Sequence, residues 1–255
     1  MRVQEVMILE KQGKSTITVV EKRLSTRERD EPEAAIRLRD EAFLLNALGG
    51  RVTPGLLAAG EDEQGPWLQM ERIPFPTLAG RLDQAGGAPL DRSWVQRATL
   101  AAFSALAELH EGTDAQGPLR IVHADLSPAN LIVDDEGARA VLLDLELAAW
   151  RGGAARDGAF RGTVGYCAPE IARGEAPTIA SDLFALAATL LHASIGQVPR
   201  SGPSLAAVLI RAAEHPLLEE LQMPAAQLSA AIVQCLAHDP RARPSSARQV
   251  LALLR

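Results

Sequence analysis

The stretch that decides the fold runs from Ile121 to Leu131 and reads Ile-Val-His-Ala-Asp-Leu-Ser-Pro-Ala-Asn-Leu. In it, Asp125 stands five residues before Asn130. The stretch Leu-Asp-Leu-Glu follows at 143–146, and Gly-Thr-Val-Gly-Tyr-Cys-Ala-Pro-Glu follows at 162–170. The order and the spacing of the three stretches together indicate a site for phosphoryl transfer.

These three stretches resemble the motifs of protein kinases, and most closely those of the Hanks-type, eukaryotic-like serine/threonine kinases that also occur in bacteria. The resemblance extends over roughly residues 5–255. It implies that Asp125 orients the acceptor hydroxyl and accepts its proton, and that Asn130 and Asp144 hold magnesium beside the phosphates of ATP.

A lysine near the N-terminus continues this resemblance. Only three of the 26 Lys and Arg residues are lysines, and Lys22 ends the strand pattern that runs from Thr16 to Glu21. Val19-Val20-Glu21-Lys22 resembles the kinase strand that carries the phosphate-binding lysine. The resemblance pairs Lys22 with Glu41 of the following helix, an ion pair that aims the ammonium at the α and β phosphates.

The resemblance also implies roles for residues of the adenine pocket and of the substrate-docking segment. Met70 resembles the gatekeeper behind the adenine pocket, and the backbone from Glu71 to Ile73 resembles the segment that bonds the adenine edge. Thr163, in the substrate-docking segment, is expected to turn its hydroxyl toward Asp125. The same resemblance makes Glu170 and Arg243 a buried ion pair, for which the planar fork of Arg is well suited.

The expected fold class is α+β, with two lobes in one kinase domain over residues 1–255. A small β-rich N-lobe covers about 1–73, a hinge lies at about 71–77 where Pro74 and Pro76 break regular structure, and a larger helical C-lobe covers about 78–255. The N-lobe is expected to be truncated, without the family's first strand and glycine-rich loop, because no Gly-x-Gly-x-x-Gly precedes Lys22.

Periodicity predicts the following elements. Strands are expected in a hairpin around Gln12-Gly13 within 5–24, at 55–60 and at 66–73; helices are expected at 33–48, 93–111, 183–195, 203–214, 225–237 and 245–254.

Several positions depart from the family pattern. Leu145-Glu146 replaces the Phe-Gly that usually follows the metal-binding Asp, and Ala124 replaces the Arg that pairs with a phosphorylated activation segment. No Ser, Thr or Tyr lies between Leu147 and Gly162, so we expect activity without phosphorylation of that segment. Ser127 replaces a Lys of the protein kinases and is common in related phosphotransferases of small molecules.

Composition limits the partners. The formal net charge is −6 and the isoelectric point is near 5.5, which argues against nucleic-acid and anionic-membrane surfaces because both require a positive field. The two cysteines, Cys167 and Cys235, suggest neither a zinc site nor a disulfide framework. The N-terminus carries no signal-like apolar core, and a reducing cytoplasm fits.

Three functions remain open at this point. The first is an ATP- and Mg-dependent kinase that modifies Ser or Thr of a protein substrate. The second is a pseudokinase that binds nucleotide without useful turnover, which the absence of a glycine-rich loop favours. The third is a phosphotransferase of small molecules such as aminoglycosides, which Ser127 favours and which Thr163, Glu170 and Arg243 oppose.

Overall fold

The computed structural model describes residues 2–9, 16–26, 28, 31–153, 160–224 and 227–255. A small β-rich lobe precedes a larger helical lobe, which confirms the expected two-lobed α+β fold. The strands are β1 (Arg2–Leu9), β2 (Thr16–Arg23), β3 (Leu56–Asp62), β4 (Gly65–Glu71), β5 (Thr113–Asp114), β6 (Gly117–Pro118), β7 (Leu131–Val133) and β8 (Ala140–Leu142). The helices are α1 (Pro32–Leu48), α2 (Leu78–Gln84), α3 (Arg92–His110), α4 (Pro169–Ala172), α5 (Ile179–Ile195), α6 (Leu205–Glu214), α7 (Leu217–Glu220), α8 (Ala230–Cys235) and α9 (Ala247–Leu254).

The small lobe is built on a four-stranded sheet in the order β1-β2-β4-β3. Every neighbouring pair in it is antiparallel, and Lys22 on β2 lies between Val3 of β1 and Leu68 of β4. The predicted turn Gln12-Gly13 lies outside the described residues. The absence of a first strand and a glycine-rich loop stays a prediction.

Helix α1 crosses the small lobe and carries Glu41 toward the cleft. Pro32 occupies its first turn, where a missing N–H costs nothing, and Gly49 ends it in the left-handed conformation at φ 62°. Leu38, Leu44, Leu45 and Leu48 are almost fully buried, so apolar packing fixes the helix against the sheet.

A short irregular linker at 72–76 joins the lobes, and Thr77 then caps α2 by accepting from the N–H of Gly80. The large lobe packs around α5, whose Leu183, Phe184 and Leu186 have no exposed surface. This helix contacts α3, α8 and the turn before α4, so it serves as the central support of the lobe.

The structure corrects the start of α5. We expected Asp182 to open a helix at Leu183, but the helix begins at Ile179 after a capping box in which Thr178 and Ser181 bond each other's backbone N–H. A capping box satisfies two orphan donors at once, and this local signal outweighed the apolar run. Asp182 therefore lies in the first turn, and its carboxylate is free to serve the neighbouring loop.

Helix α8 is also shorter than expected. It begins at Ala230, after Ser229 accepts from the N–H of Ile232, instead of at Ala225, which lies outside the described residues. An N-cap serine defined this boundary more sharply than apolar periodicity did. The other expected helices and strands agree with the structure to within about two residues, the usual scatter of element ends.

A buried ion pair ties the docking segment to the end of the chain. Arg243 Nη1 and Nη2 donate to Glu170 Oε1 at 2.6 Å and Oε2 at 2.8 Å, and the two residues are 6% and 2% exposed. Arg243 also donates to the carbonyls of Ala180, His238 and Ala237 and stacks over Phe184. The expected buried pair is present, and every N–H of the guanidinium group is directed at a protein acceptor.

Neither cysteine forms a disulfide, and both are buried. Burial raises the pKa of Cys167 to about 11 and that of Cys235 to about 12. Both therefore remain protonated thiols near neutral pH.

Replacing Arg243 with Ala should lower the free energy of unfolding by roughly 3 to 5 kcal/mol, because it leaves Glu170 charged, buried and unpaired. Urea unfolding measures this. Arg241→Ala is the matched control: it removes the same charge two residues away, from a side chain that is 89% exposed. It should cost less than about 1 kcal/mol, and an equally small effect of Arg243→Ala would contradict the structural role of the pair.

Candidate active site

The loop that carries Asp125 is held in place by Asp182. One carboxylate oxygen accepts from the N–H of His123 at 2.7 Å and from His110 Nε2 at 2.9 Å, and the other accepts from the N–H of Ala124 at 2.9 Å. Asp182 is 1% exposed, so these bonds satisfy a buried charge. They fix Ala124 at φ 67°, a left-handed conformation that is unfavourable for a residue with a Cβ atom.

His123 joins this loop to the loop that carries Asp144. Its Nε2 lies 2.9 Å from the carbonyl oxygen of Leu143, and its Nδ1 lies 3.4 Å from the N–H of Asp125. Since a carbonyl only accepts and an N–H only donates, Nε2 carries the proton and Nδ1 accepts. One imidazole therefore sets the spacing between Asp125 and the loop that carries Asp144.

Asp125 lies where three segments meet. Its Oδ1 accepts from both the backbone N–H and the hydroxyl of Thr163, each at 2.8 Å, and its Oδ2 accepts from Asn130 Nδ2 at 3.1 Å. Asn130 Nδ2 also donates to the Asp125 carbonyl at 2.9 Å. Burial raises the pKa of Asp125, and the hydrogen bonds from Thr163 oppose that effect. The expected contact between Thr163 and Asp125 is present.

This contact requires glycine at position 162. Gly162 has φ 111°, and a Cβ atom there would lie 3.2 Å from Asp125 Oδ1. A side chain would meet both backbone strain and a close approach to the carboxylate.

Lys22 is buried among acidic side chains. Its Nζ lies 2.6 Å from Glu41 Oε2 and 2.7 Å from Asp144 Oδ1. Burial alone would lower the pKa of Lys22, but the neighbouring Glu41 and Asp144 carboxylates outweigh it and raise that pKa above its ordinary value. The ammonium therefore stays charged.

The two acids respond differently to this environment. Burial raises the pKa of Glu41 to about 7, although Lys22 opposes the shift. Burial also acts to raise the pKa of Asp144, but there Lys22 dominates and holds it below the ordinary value. Asp144 is 42% exposed and has φ 61°, so it is an ionised carboxylate turned into the cleft by an unusual backbone conformation.

Asp144 and Asn130 could hold magnesium. The N–H of Leu143, next to Asp144, donates to the Asn130 carbonyl at 2.9 Å, which brings the two residues' backbones together. Within the described ranges no three His, Cys, Asp or Glu residues form a metal cluster. One carboxylate and one amide oxygen still fit magnesium, because this ion keeps several waters and takes its other ligands from substrate phosphates.

The linker offers backbone groups for an adenine ring. The N–H of Glu71 already donates to the Gly55 carbonyl at 2.8 Å, so Glu71 has only its carbonyl to offer. Ile73 makes no hydrogen bond with the described part of the chain, which leaves its N–H and C=O available. Met70 is half-buried against the core behind them. These positions suit the roles that the resemblance implies.

Sequence reasoning missed one contact of the site. Arg37 Nε donates to Glu146 Oε1 at 3.0 Å, and Glu146 Oε2 lies 3.7 Å from Lys22 Nζ. The sequence marked Glu146 as a departure from the family pattern but gave it no partner. An arginine four residues before Glu41, one helical turn away, was the available signal.

Comparison with known proteins decides the family. The model of the protein kinase domain matches residues 5–253. The chain belongs to the protein kinase family. It is 28% identical over 225 residues to the probable serine/threonine-protein kinase PkwA of Thermomonospora curvata, covering 88% of this chain and 29% of that protein.

Two further kinases of this family from bacteria are similar. The serine/threonine-protein kinase AfsK of Streptomyces griseus is 27% identical over 219 residues, covering 85% of this chain and 26% of AfsK. The serine/threonine-protein kinase PknK of Mycobacterium tuberculosis is 35% identical over 202 residues, covering 77% of this chain and 17% of PknK. The chain thus spans less than a third of the length of each of these curated relatives. In its own described part, no helix is long and apolar enough to cross a membrane.

ATP with magnesium should raise the melting temperature of the wild-type protein, because a ligand that binds only the folded state stabilises it by mass action. We expect Lys22→Ala and Asp144→Asn to abolish most of this shift. Asp135→Asn is the matched control, since Asp135 is 72% exposed and pairs with Arg81 in the large lobe. Equal shifts in all four proteins, or none in the wild type at millimolar ATP, would argue against the site.

Proposed function

We propose that this chain is a protein serine/threonine kinase that transfers the γ-phosphoryl group of ATP, with magnesium, to a Ser or Thr hydroxyl of a protein substrate. The observation that carries the proposal is the double hydrogen bond from Thr163 to Asp125. It seats the docking segment against the proposed catalytic carboxylate, so a peptide on that segment would present its hydroxyl there.

Asp125 orients the acceptor hydroxyl and accepts its proton. A base must lie within hydrogen-bond reach of the proton that it takes, and Oδ2 is the oxygen that Thr163 leaves open on the side of Asn130. The hydroxyl of Thr163 holds Oδ1, so the carboxylate is restrained in one orientation. Positioning of this kind can supply much of the rate gain in phosphoryl transfer.

Lys22 positions the phosphates, and Glu41 holds Lys22 in place. Magnesium, when bound to Asp144 and Asn130, supplies positive charge that offsets the charge of the phosphates. The ammonium of Lys22 already bonds Asp144 at 2.7 Å, so the phosphate-binding and metal-binding groups are pre-assembled on one side of the cleft. Such preorganised charge needs little rearrangement during the reaction.

The docking segment distinguishes a protein kinase from a phosphotransferase of small molecules. Gly162 to Glu170 connects Asp125 at one end to the buried Arg243 at the other. Ser127, the residue that favours the small-molecule alternative, is 1% exposed. Its buried hydroxyl has little access to a substrate in the cleft, which supports the protein kinase.

The pseudokinase alternative rests on the sequence before Lys22, which contains no glycine-rich motif. Against it stands the assembled set of Lys22, Glu41, Asp125, Asn130 and Asp144. A nucleotide-binding module without turnover has no need for Asp125 in contact with the docking segment.

The partners follow from the same reasoning. We propose a protein substrate and no nucleic-acid or membrane surface, supported by the net charge of −6. We also propose a cytoplasmic location, supported by the two free thiols. Of the arginines in the activation segment, Arg151 pairs with Asp114 and Arg161 with Glu33, so neither supports an acidic-substrate site. Arg156 lies outside the described residues.

The decisive assay is transfer of radiolabelled phosphate from ATP to the chain itself, to a basic model protein and to a lysate. Asp125→Asn should reduce transfer by about a hundredfold or more, since it removes a positioned base, while the melting shift with ATP and magnesium stays near that of wild type. Transfer by this variant within about fivefold of wild type would place the base elsewhere, whereas no transfer by the wild type itself would favour the pseudokinase.

Activity should not depend on phosphorylation of the activation segment. A phosphate there normally orders the loop by pairing with an Arg beside the catalytic Asp, and this chain has Ala124 at that position and no Ser, Thr or Tyr between Leu147 and Gly162. Phosphatase-treated and untreated protein should show equal initial rates. A loss of about tenfold that recovers on incubation with ATP, and maps to this segment, would show that a phosphate-dependent switch exists.

A further inference from the structure

Glu146 joins helix α1 to the loop that carries the proposed metal ligand. Its Oε1 accepts from Arg37 Nε at 3.0 Å, and the two side chains are 17% and 19% exposed. The pair is therefore shielded from water more than most surface ion pairs of this chain, such as Arg248–Glu111 with both partners over half exposed. Shielding strengthens the attraction between the charges.

Arg37 does not act alone on this helix. Glu41, one turn further along α1, bonds Lys22 and also accepts from the N–H of Leu145 at 3.2 Å. Residues four apart lie on one side of a helix. Arg37 therefore contacts Glu146, and Glu41 contacts the preceding residue of the same loop, Leu145.

An aromatic contact adds a third connection. Phe43 of α1 stacks on Trp150, four residues beyond Glu146, with ring centroids 4.8 Å apart and planes at 21°. Three contacts of different chemistry thus hold α1 against the beginning of the activation segment, and two of them use side chains other than the Lys22–Glu41 pair.

We propose that Glu146 is a positioning residue: through Arg37 it keeps α1 against the metal-binding loop, so that Lys22 and Glu41 stay assembled before nucleotide binds. This inference rests on the proposed kinase function. In place of a phosphate added to the activation segment, the Glu146 carboxylate supplies the negative charge that holds α1.

The expected kinetic effect follows from an equilibrium between conformations in which α1 contacts the loop and conformations in which it does not. If α1 can leave the loop, only the assembled fraction binds nucleotide, and the apparent affinity falls in proportion to that fraction. Saturating ATP selects the assembled state again, so kcat recovers. Loss of Glu146 should therefore raise the KM for ATP and leave kcat nearly unchanged, whereas loss of Asp125 lowers kcat.

A competing role for Glu146 predicts the opposite sign. Its Oε2 lies 3.7 Å from Lys22 Nζ and could draw the ammonium away from phosphates. In that case Glu146→Gln would free Lys22 and lower the KM for ATP. The direction of the change separates the two roles.

The experiment compares the wild-type chain with Glu146→Gln, Arg37→Met and the double variant. Glu61→Gln is the matched control: it removes an acid that is 58% exposed and pairs with another arginine of the same helix, Arg39, at 2.9 Å. Two readouts are used: hydrogen exchange of the backbone amides at 32–48 without nucleotide, and steady-state kinetics with varied ATP.

Both single variants should exchange the amides at 32–48 about fivefold faster than wild type, while those of α5 stay unchanged, because only local opening becomes easier. The KM for ATP should rise by about two- to fivefold with kcat within about twofold. The double variant should be no worse than the worse single variant, as expected when one interaction is lost. Glu61→Gln should match wild type within about twofold in both readouts.

Unchanged exchange at 32–48, a lower KM in Glu146→Gln, or additive effects in the double variant would each overturn the proposal. If wild type transfers no phosphate, the proposed function fails, but the exchange data still report on the Arg37–Glu146 contact. If wild type is active and exchange is unchanged, only the positioning role fails.

Discussion

A lysine ammonium buried among carboxylates is the interaction on which the site depends. Lys22 comes from β2, Glu41 from α1 and Asp144 from the loop after β8, so one charge joins both lobes and residues 122 positions apart in the sequence. Taking such a charge out of water is unfavourable unless its partners are in place, and removing a partner commonly costs about 3 to 5 kcal/mol. Strand β2, helix α1 and the loop that carries Asp144 therefore hold one another in place.

The loop that carries Asp125 depends on a buried carboxylate, as the Lys22 site depends on a buried ammonium. Asp182 is a buried carboxylate whose partners are two backbone N–H groups and His110. It holds Ala124 in a left-handed conformation that costs of the order of 1 to 3 kcal/mol in isolation. The central helix α5 thereby fixes the loop, and the bonds of His123 transmit that position to the loop of Asp144.

The sequence allowed much of this site to be predicted. Asp125, Asn130 and Asp144 lie in short local segments, so the number of residues between them largely determines their relative positions. Lys22 and Glu41 followed from their order relative to that motif. The two-lobed fold followed from the same resemblance, which extends over nearly the whole chain and which the family match at 5–253 supports.

Other features lay beyond sequence reasoning because they depend on partners that are distant along the chain. The position of Arg37 one turn before Glu41 hinted at a role near the site, but it did not identify the partner, because more than one acid lies within its reach. Helix starts were misplaced where a single capping side chain decides them, as Thr178 and Ser229 do. In both cases a short-range hydrogen bond or a tertiary ion pair outweighed the periodicity of apolar residues.

The burial of both thiols has a consequence for chemical reactivity. The thiolate is the reactive form of cysteine, and Cys167 and Cys235 are 8% and 0% exposed with raised pKa values, so alkylating reagents and oxidants should find little to attack in the folded protein. Toward thiol reagents, the folded native chain should therefore behave as if it contained no cysteine. A single cysteine introduced on the exposed side of α1 could carry a fluorescent label without removal of the natural ones, and would make movement of that helix directly visible.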